Sequence, residues 1–157
     1  MAPAFHPKEV EGALDASGLR FTVVCSRWNP TITDALLRTA LETLQRRGAR
    51  GADVRVVHVP GAFELPGAAR FALSDSKPDA VIVLGAIVKG ETNHHEILGH
   101  AVATALAALC VETGRPIGFG LLTCDTMDQA RERAGKGAEA AEAAIAMANL
   151  KRRRTRG

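Results

Sequence analysis

Apolar residues follow two patterns along the chain: short continuous runs, and longer stretches with helical spacing. The short runs are rich in valine and isoleucine, as expected for strands covered on both faces, and residues that favour turns follow them. They predict four strands, at residues 19–26, 54–59, 80–88 and 117–122.

In the longer stretches apolar residues recur every three or four positions, which predicts helices with one buried face. The first helix is expected to begin at a cap formed by Thr31 or Thr33 and to end at Arg46 and Arg47, where cations precede Gly48. The other predicted helices are residues 64–73, 94–113, 127–133 and 138–151.

Strands and helices alternate from the first strand to the last helix. This order favours a parallel sheet with helices on both faces, and in such sheets ligands bind at the carboxyl ends of the strands. A chain of 157 residues suits one domain, and no internal repeat divides it. We predict an N-terminal arm at 1–18, a single domain at 19–150 and a basic C-terminal tail at 151–157.

The composition is that of a packed domain, since 46% of the residues are apolar and 24% are charged. The longest uncharged apolar runs, residues 80–88 and 101–111, are too short to span a bilayer, and residues 1–8 lack the apolar region of a signal peptide. Three cysteines lie in apolar surroundings, as buried thiols do in a reducing compartment. We therefore expect a cytoplasmic protein.

The net charge of +3 does not indicate a nucleic-acid partner, because the excess is local. Residues 151–156 supply five of the 20 basic side chains, which leaves 15 basic against 17 acidic residues in the rest of the chain. One tryptophan and five scattered phenylalanines also make no stacking platform for a single strand.

The most informative segment follows the third strand and reads GAIVKGETNHHE, residues 85–96. A glycine turn that leads into a helix favours an anion such as phosphate, because backbone N–H groups and the helix dipole point at it. Lys89 adds charge, Thr92 adds a hydroxyl, and His94 is placed to exchange a proton near neutral pH. The alternative is that Gly90 only makes a turn, that Thr92 or Asn93 caps the helix, and that the histidines are exposed.

The histidines of this segment do not predict a metal site. Adjacent helical residues point about 100° apart, so His94 and His95 do not readily share an ion. His100 pairs with Glu96 at helical spacing, but the pair has no third ligand. We therefore predict no metal site.

Two further strand ends carry candidate binding residues. Trp28 follows the first strand, where its ring is placed to stack on a planar heterocycle while Asn29 reads a mixed donor and acceptor edge; the alternative is a tryptophan that covers the rim of the core. Glu64 follows the second strand between apolar residues, where its carboxylate needs donors from the protein or from a hydroxylated ligand. The alternative is a carboxylate at a helix N-terminus.

The fourth strand and the helix after it contribute a last group. Phe119 lies within the strand, and Arg133 and Lys136 flank Gly135. The forked guanidinium of Arg133 suits phosphate, although a charged helix end explains it equally well.

Together these segments resemble the 6,7-dimethyl-8-ribityllumazine synthase family of riboflavin biosynthesis. The matching stretches are SRWNPTIT, VPGAFELP, VLGAIVKGETNHHE, GFGLLTCDTMDQARERAG and KGAEAA, in the family's order, from about residue 17 to residue 150. Several spaced blocks in order are far more specific than one glycine-rich loop. One departure is the short connection at residues 133–137, which leaves the position of Lys136 unassigned.

The resemblance implies a flavodoxin-like three-layer α/β/α sandwich with a four-stranded parallel sheet and a homopentamer whose active sites are shared between neighbours. The N-terminal arm is expected to add a strand to a neighbouring subunit. In many family members pentamers join into a 60-subunit icosahedral shell, and riboflavin synthase is a further expected partner. The shortened connection lies near the contacts that form such shells.

The resemblance also implies a reaction. The family condenses 5-amino-6-(D-ribitylamino)uracil with L-3,4-dihydroxy-2-butanone 4-phosphate, releases phosphate and water, and uses no metal or cofactor. In this chain His94 matches the catalytic histidine, and Phe119 matches the aromatic residue that one subunit lends to its neighbour. A non-catalytic flavin-binding or shell-forming protein on the same fold is the alternative, as is a generic phosphate-binding protein.

The resemblance and the residue-based hypotheses above together predict two binding sets. The ribitylaminouracil set is Trp28, Asn29, Ala62, Phe63, Glu64, Ala86, Ile87, Val88 and Phe119, and the butanone phosphate set is Gly90, Glu91, Thr92 and Arg133.

Overall fold

The structure is a computed structural model that describes residues 1–155. Four strands form one parallel sheet in the order β2-β1-β3-β4. In chain order the elements are β1 (Phe21–Ser26), α1 (Pro30–Arg46), β2 (Val54–Val59), α2 (Leu65–Asp75), β3 (Ala80–Val88), α3 (His94–Thr113), β4 (Ile117–Cys124), α4 (Met127–Glu132) and α5 (Lys136–Thr155).

Helices cover both faces of the sheet and give the predicted three-layer α/β/α fold. Alternate residues of a strand point to opposite faces, so Val23 and Ile82 pack with α1 and α5, whereas Val24 and Val83 pack with α2 and α3. Every residue of β1, and all of β3 except Val88, is buried, as its continuous apolar run predicts.

The last helix approaches its neighbours closely because two glycines allow it. A Cβ at Gly137 would collide with the carbonyl oxygen of Leu36 in α1, and one at Gly118 in β4 would collide with that of Ala140 in α5. The Thr39 hydroxyl also donates to the Ala134 carbonyl, 2.9 Å away. The short connection between α4 and α5 is therefore packed down onto α1.

Most predicted boundaries agree with the structure, but the start of α1 differs. Neither Thr31 nor Thr33 caps this helix; it begins two to four residues earlier, at Pro30, with Asn29 as the preceding residue. Thr33 instead donates its hydroxyl to the Asn29 carbonyl, 3.3 Å away. Proline suits the first turn because the N–H it lacks has no partner there.

The last part of the arm lies against α5, at the edge of the fold where the strands begin. The arm has no helix or strand, and Asn149 of α5 donates to the carbonyls of Ala13 and Asp15, at 2.7 and 2.8 Å. α5 continues through Thr155, so the first part of the predicted tail is helical, while residues 156 and 157 lie outside the described residues.

Helix α3 is unusually apolar for a helix on the surface of a single chain. Within residues 1–155 it is the one helix whose length and composition would suit a membrane span, with a mean hydropathy of 1.3. Only Val102 and Leu106 of α3 are buried, and Ile97 and Val111 are exposed. The short apolar runs of the sequence do not show the high hydropathy of α3, because it is an average over the whole helix.

Candidate active site

A cleft of about 440 Å³ lies where β1, β2 and β3 end. The segments that follow these strands meet there because parallel strands present their carboxyl ends at one edge of the sheet. The lining residues are Trp28, Gly61, Ala62, Phe63, Glu64, Ala86, Ile87, Val88, Gly90, Thr92, His94, His95 and Leu98.

The cleft brings together ten of the fourteen predicted site residues. Four others do not line it: Asn29, Glu91, Phe119 and Arg133. Three residues outside the predicted site also line it: Gly61, His95 and Leu98. The sequence offers a signal for two of them. Leu98 lies one helical turn after His94, and Gly61 precedes Ala62 in the turn after β2.

Trp28 lies on one wall of the cleft with most of its side chain exposed. Its backbone N–H donates to the carbonyl of Pro60 at 3.1 Å, and that of Arg27 donates to Val59 at 2.8 Å. These bonds continue the pairing of β1 with β2 beyond the last strand residue. The loop is thus held, while the exposed indole face is available for stacking.

Glu64 is the one carboxylate among the lining residues. It ends a single turn of 3₁₀-helix, Ala62–Glu64, and its Oε2 accepts the N–H of Gly61 at 3.0 Å. This bond folds the carboxylate back over the turn. The Gly61 N–H is therefore the protein donor that a carboxylate in these surroundings needs. The other oxygen, Oε1, is left to accept a hydrogen bond from a ligand.

The first turn of α3 forms the opposite wall. Thr92 folds over the helix start, since its Oγ1 accepts the N–H of His94 at 3.4 Å and its carbonyl lies 3.0 Å from His95 Nδ1. A carbonyl oxygen only accepts, so Nδ1 of His95 is the donor in this contact. The His94 side chain is exposed and makes no comparable bond, which leaves it open to a bound molecule.

Phe119 lies on the far side of α3 from the cleft. It is 41% exposed and lines a second cavity of about 400 Å³ together with His95, Glu96 and His100. Arg133 ends α4 with an exposed side chain that donates to the Gln129 carbonyl at 3.4 Å. One chain therefore does not bring these two residues to its own cleft.

The described residues contain no group of three or more histidine, cysteine, aspartate or glutamate side chains placed to hold a metal ion. His95 Nε2 lies 3.9 Å from Glu96 Oε1. Lys136 pairs with Glu139 at 2.9 Å and is not part of the cleft.

Comparisons with known proteins identify the family of this chain. The model of the family described as 6,7-dimethyl-8-ribityllumazine synthase matches residues 18–152. Proteins of that name from Nitratidesulfovibrio vulgaris (strain DP4) and Desulfotalea psychrophila are each 44% identical to this chain, over 145 and 149 residues. The alignments cover 89% and 92% of this chain and 93% and 96% of those proteins. The chain therefore belongs to the 6,7-dimethyl-8-ribityllumazine synthase family.

Proposed function

We propose that this cleft is where the enzyme condenses 5-amino-6-(D-ribitylamino)uracil with L-3,4-dihydroxy-2-butanone 4-phosphate. The product is 6,7-dimethyl-8-ribityllumazine, and phosphate and water are released. The observation that carries the proposal is the meeting of Trp28, Glu64 and His94, from three separate strand ends, in one cavity of about 440 Å³. These residues supply an aromatic face, a hydroxyl acceptor and an acid–base group.

The ribitylaminouracil is proposed to bind between Trp28 and the end of β3. The indole stacks on the pyrimidine, and the segment Ala86–Val88 lies along the edge of the ring. The ribityl chain extends toward Ala62 and Phe63, where Glu64 Oε1 accepts from its hydroxyls. A carboxylate whose other oxygen is already held by Gly61 is oriented before the substrate arrives.

The butanone phosphate is proposed to bind at the turn of Gly90, Glu91 and Thr92. Backbone N–H groups and the dipole of α3 favour an anion there, and the helix is 20 residues long. Arg133 is proposed to reach this phosphate from a neighbouring copy, because it does not line the cleft of its own chain.

His94 is proposed to transfer protons between the two substrates. The amino group of the aminouracil attacks the ketone, and loss of water gives a Schiff base. Elimination then releases phosphate, and ring closure releases the second water. Each step moves a proton, and a histidine beside the phosphate serves several of them in turn. The rigid strand ends also orient the two substrates toward each other, which lowers the barrier to their reaction.

The assembly is proposed to be a homopentamer in the cytoplasm, with Phe119 completing the cleft of its neighbour. The exposed apolar side chains of α3 support this, since contact with another copy would cover Ile97 and Val111 without a membrane. We further propose that pentamers join into a 60-subunit shell that associates with riboflavin synthase. Mass photometry at micromolar protein distinguishes monomer, pentamer and shell.

The experiment mixes purified protein with both substrates and follows lumazine absorbance and phosphate release. His94→Ala is expected to slow turnover by about tenfold to 10⁴-fold while substrate binding persists. His95→Ala is the matched control and is expected to have the smaller effect. Unchanged turnover in His94→Ala would refute its role. Flavin binding without lumazine formation by the wild-type protein would favour the non-catalytic alternative.

A further inference from the structure

Asn29 has an unusual backbone conformation next to the cleft. Its φ and ψ are both 60°, and within residues 1–155 only Lys77 is another non-glycine residue with positive φ. Asparagine tolerates this left-handed conformation better than most residues, but it still has a cost. The residue also precedes α1, where an asparagine side chain commonly caps the helix, yet here it makes no capping bond.

The side chain of Asn29 is used for a long-range bond instead. Its Nδ2 donates to the carbonyl of Ala86 in β3 at 3.0 Å. The pairing of β1 with β3 ends at Cys25 opposite Leu84, and Arg27 turns its N–H to Val59 of β2. The pairing of β1 with β3 therefore stops before Ala86, which is 2% exposed, and the asparagine amide donates to this buried carbonyl.

This bond joins two walls of the cleft. Ala86 lines the cavity from β3, and Trp28, the residue before Asn29, lines it from the other side. Bonds from Arg27 and Trp28 fix the same loop to the end of β2. The bond from Asn29 is the one that fixes it to β3, so the distance between the indole and the end of β3 depends on it.

We propose that Asn29 is a positioning residue that holds the Trp28 ring at stacking distance from the end of β3, rather than a contact to the substrate. The inference rests on the proposed stacking of Trp28 on the pyrimidine. The position needs both tolerance of positive φ and an amide donor. Glycine keeps the tolerance and loses the donor, and aspartate keeps the shape but places a carboxylate against the carbonyl.

The test compares Asn29→Gly with Asn29→Asp. We expect both variants to raise the KM for ribitylaminouracil about tenfold, the effect of one lost hydrogen bond, and to leave the KM for butanone phosphate within about twofold of the wild-type value. Since Trp28 is the only tryptophan, its fluorescence reports the ring alone. In substrate-free protein both variants should show faster depolarisation of its time-resolved anisotropy and stronger quenching by acrylamide.

Three outcomes would overturn the proposal. Fluorescence like that of the wild type with a raised KM would mean that Asn29 contacts the substrate directly. An equal rise in both KM values would mean a general structural role. Altered fluorescence with unchanged KM values would mean that the position of the Trp28 ring does not affect substrate binding. The anisotropy measurement needs no turnover, so failure of the proposed function, seen as no lumazine from wild-type protein, is distinguishable from failure of this inference.

Discussion

At the scale of single residues, Arg133 is proposed to hold the phosphate of the four-carbon substrate. Arg133→Ala is expected to raise the KM for butanone phosphate by about ten- to a hundredfold, the value of one charge-assisted contact, and to change the KM for ribitylaminouracil much less. Steady-state kinetics with each substrate varied in turn measures this. Inorganic phosphate should compete with the butanone phosphate. Equal damage to both KM values would instead indicate a structural role.

Cys25 gives a pH dependence at the same scale. Burial, followed by the negative charge of Asp34, raises the pKa of its thiol from 9.0 to about 11. The thiol of the unfolded chain ionises first, so its contribution to the free energy of unfolding is complete below pH 9 and declines as the pH rises toward 11. Urea unfolding at several pH values should show this decline in wild type and a shallower one in Cys25→Ala. Cys110→Ala, which keeps Cys25, is the control, and identical slopes in all three proteins would contradict the assignment.

At the scale of elements, the contact of α5 with α1 depends on the missing side chain of Gly137. Gly137→Ala would drive a Cβ into the Leu36 carbonyl, so the helix must move and the free energy of unfolding should fall by about 1–3 kcal/mol. Gly135→Ala is the matched control, because a Cβ there meets nothing within 4 Å. Urea unfolding followed by circular dichroism compares them. Equal stability of the two variants would show that α5 does not need this close approach.

The sequence predicts elements well where one physical cause dominates. The bounds of β2, β3 and α3 agree with the prediction because their apolar patterns are uninterrupted and end at turn residues. The predicted start of α1 is wrong because the left-handed conformation of Asn29 accompanies its bond to Ala86, which lies 57 residues further along the chain, in β3. Local spacing carries no information about such a bond.

In the candidate site, too, some features follow from the sequence pattern and others depend on long-range packing. The convergence of Trp28, Glu64 and His94 follows from parallel strands and is readable in the sequence. That Phe119 lies on the other side of α3 depends on which face of β4 it occupies and on the packing of that helix. These are properties of the folded chain, and no spacing of motifs predicts them.

At the scale of the whole molecule, sharing of the site predicts complementation. His94→Ala and Phe119→Ala subunits, each impaired alone, are unfolded, mixed in equal amounts and refolded. About a quarter of the sites at random interfaces then combine the native His94 with the native Phe119, so activity should exceed the average of the two separate variants. Phe71→Ala, an exposed phenylalanine on α2, replaces Phe119→Ala in the control mixture. Absence of any gain would refute a shared site.

The bonds from Asn149 to the carbonyls of Ala13 and Asp15 hold the last part of the arm against α5, at the edge of the fold opposite the cleft. A protein fused directly before residue 13 would therefore start at the edge opposite the cleft of its own chain and leave the entrance for substrates clear.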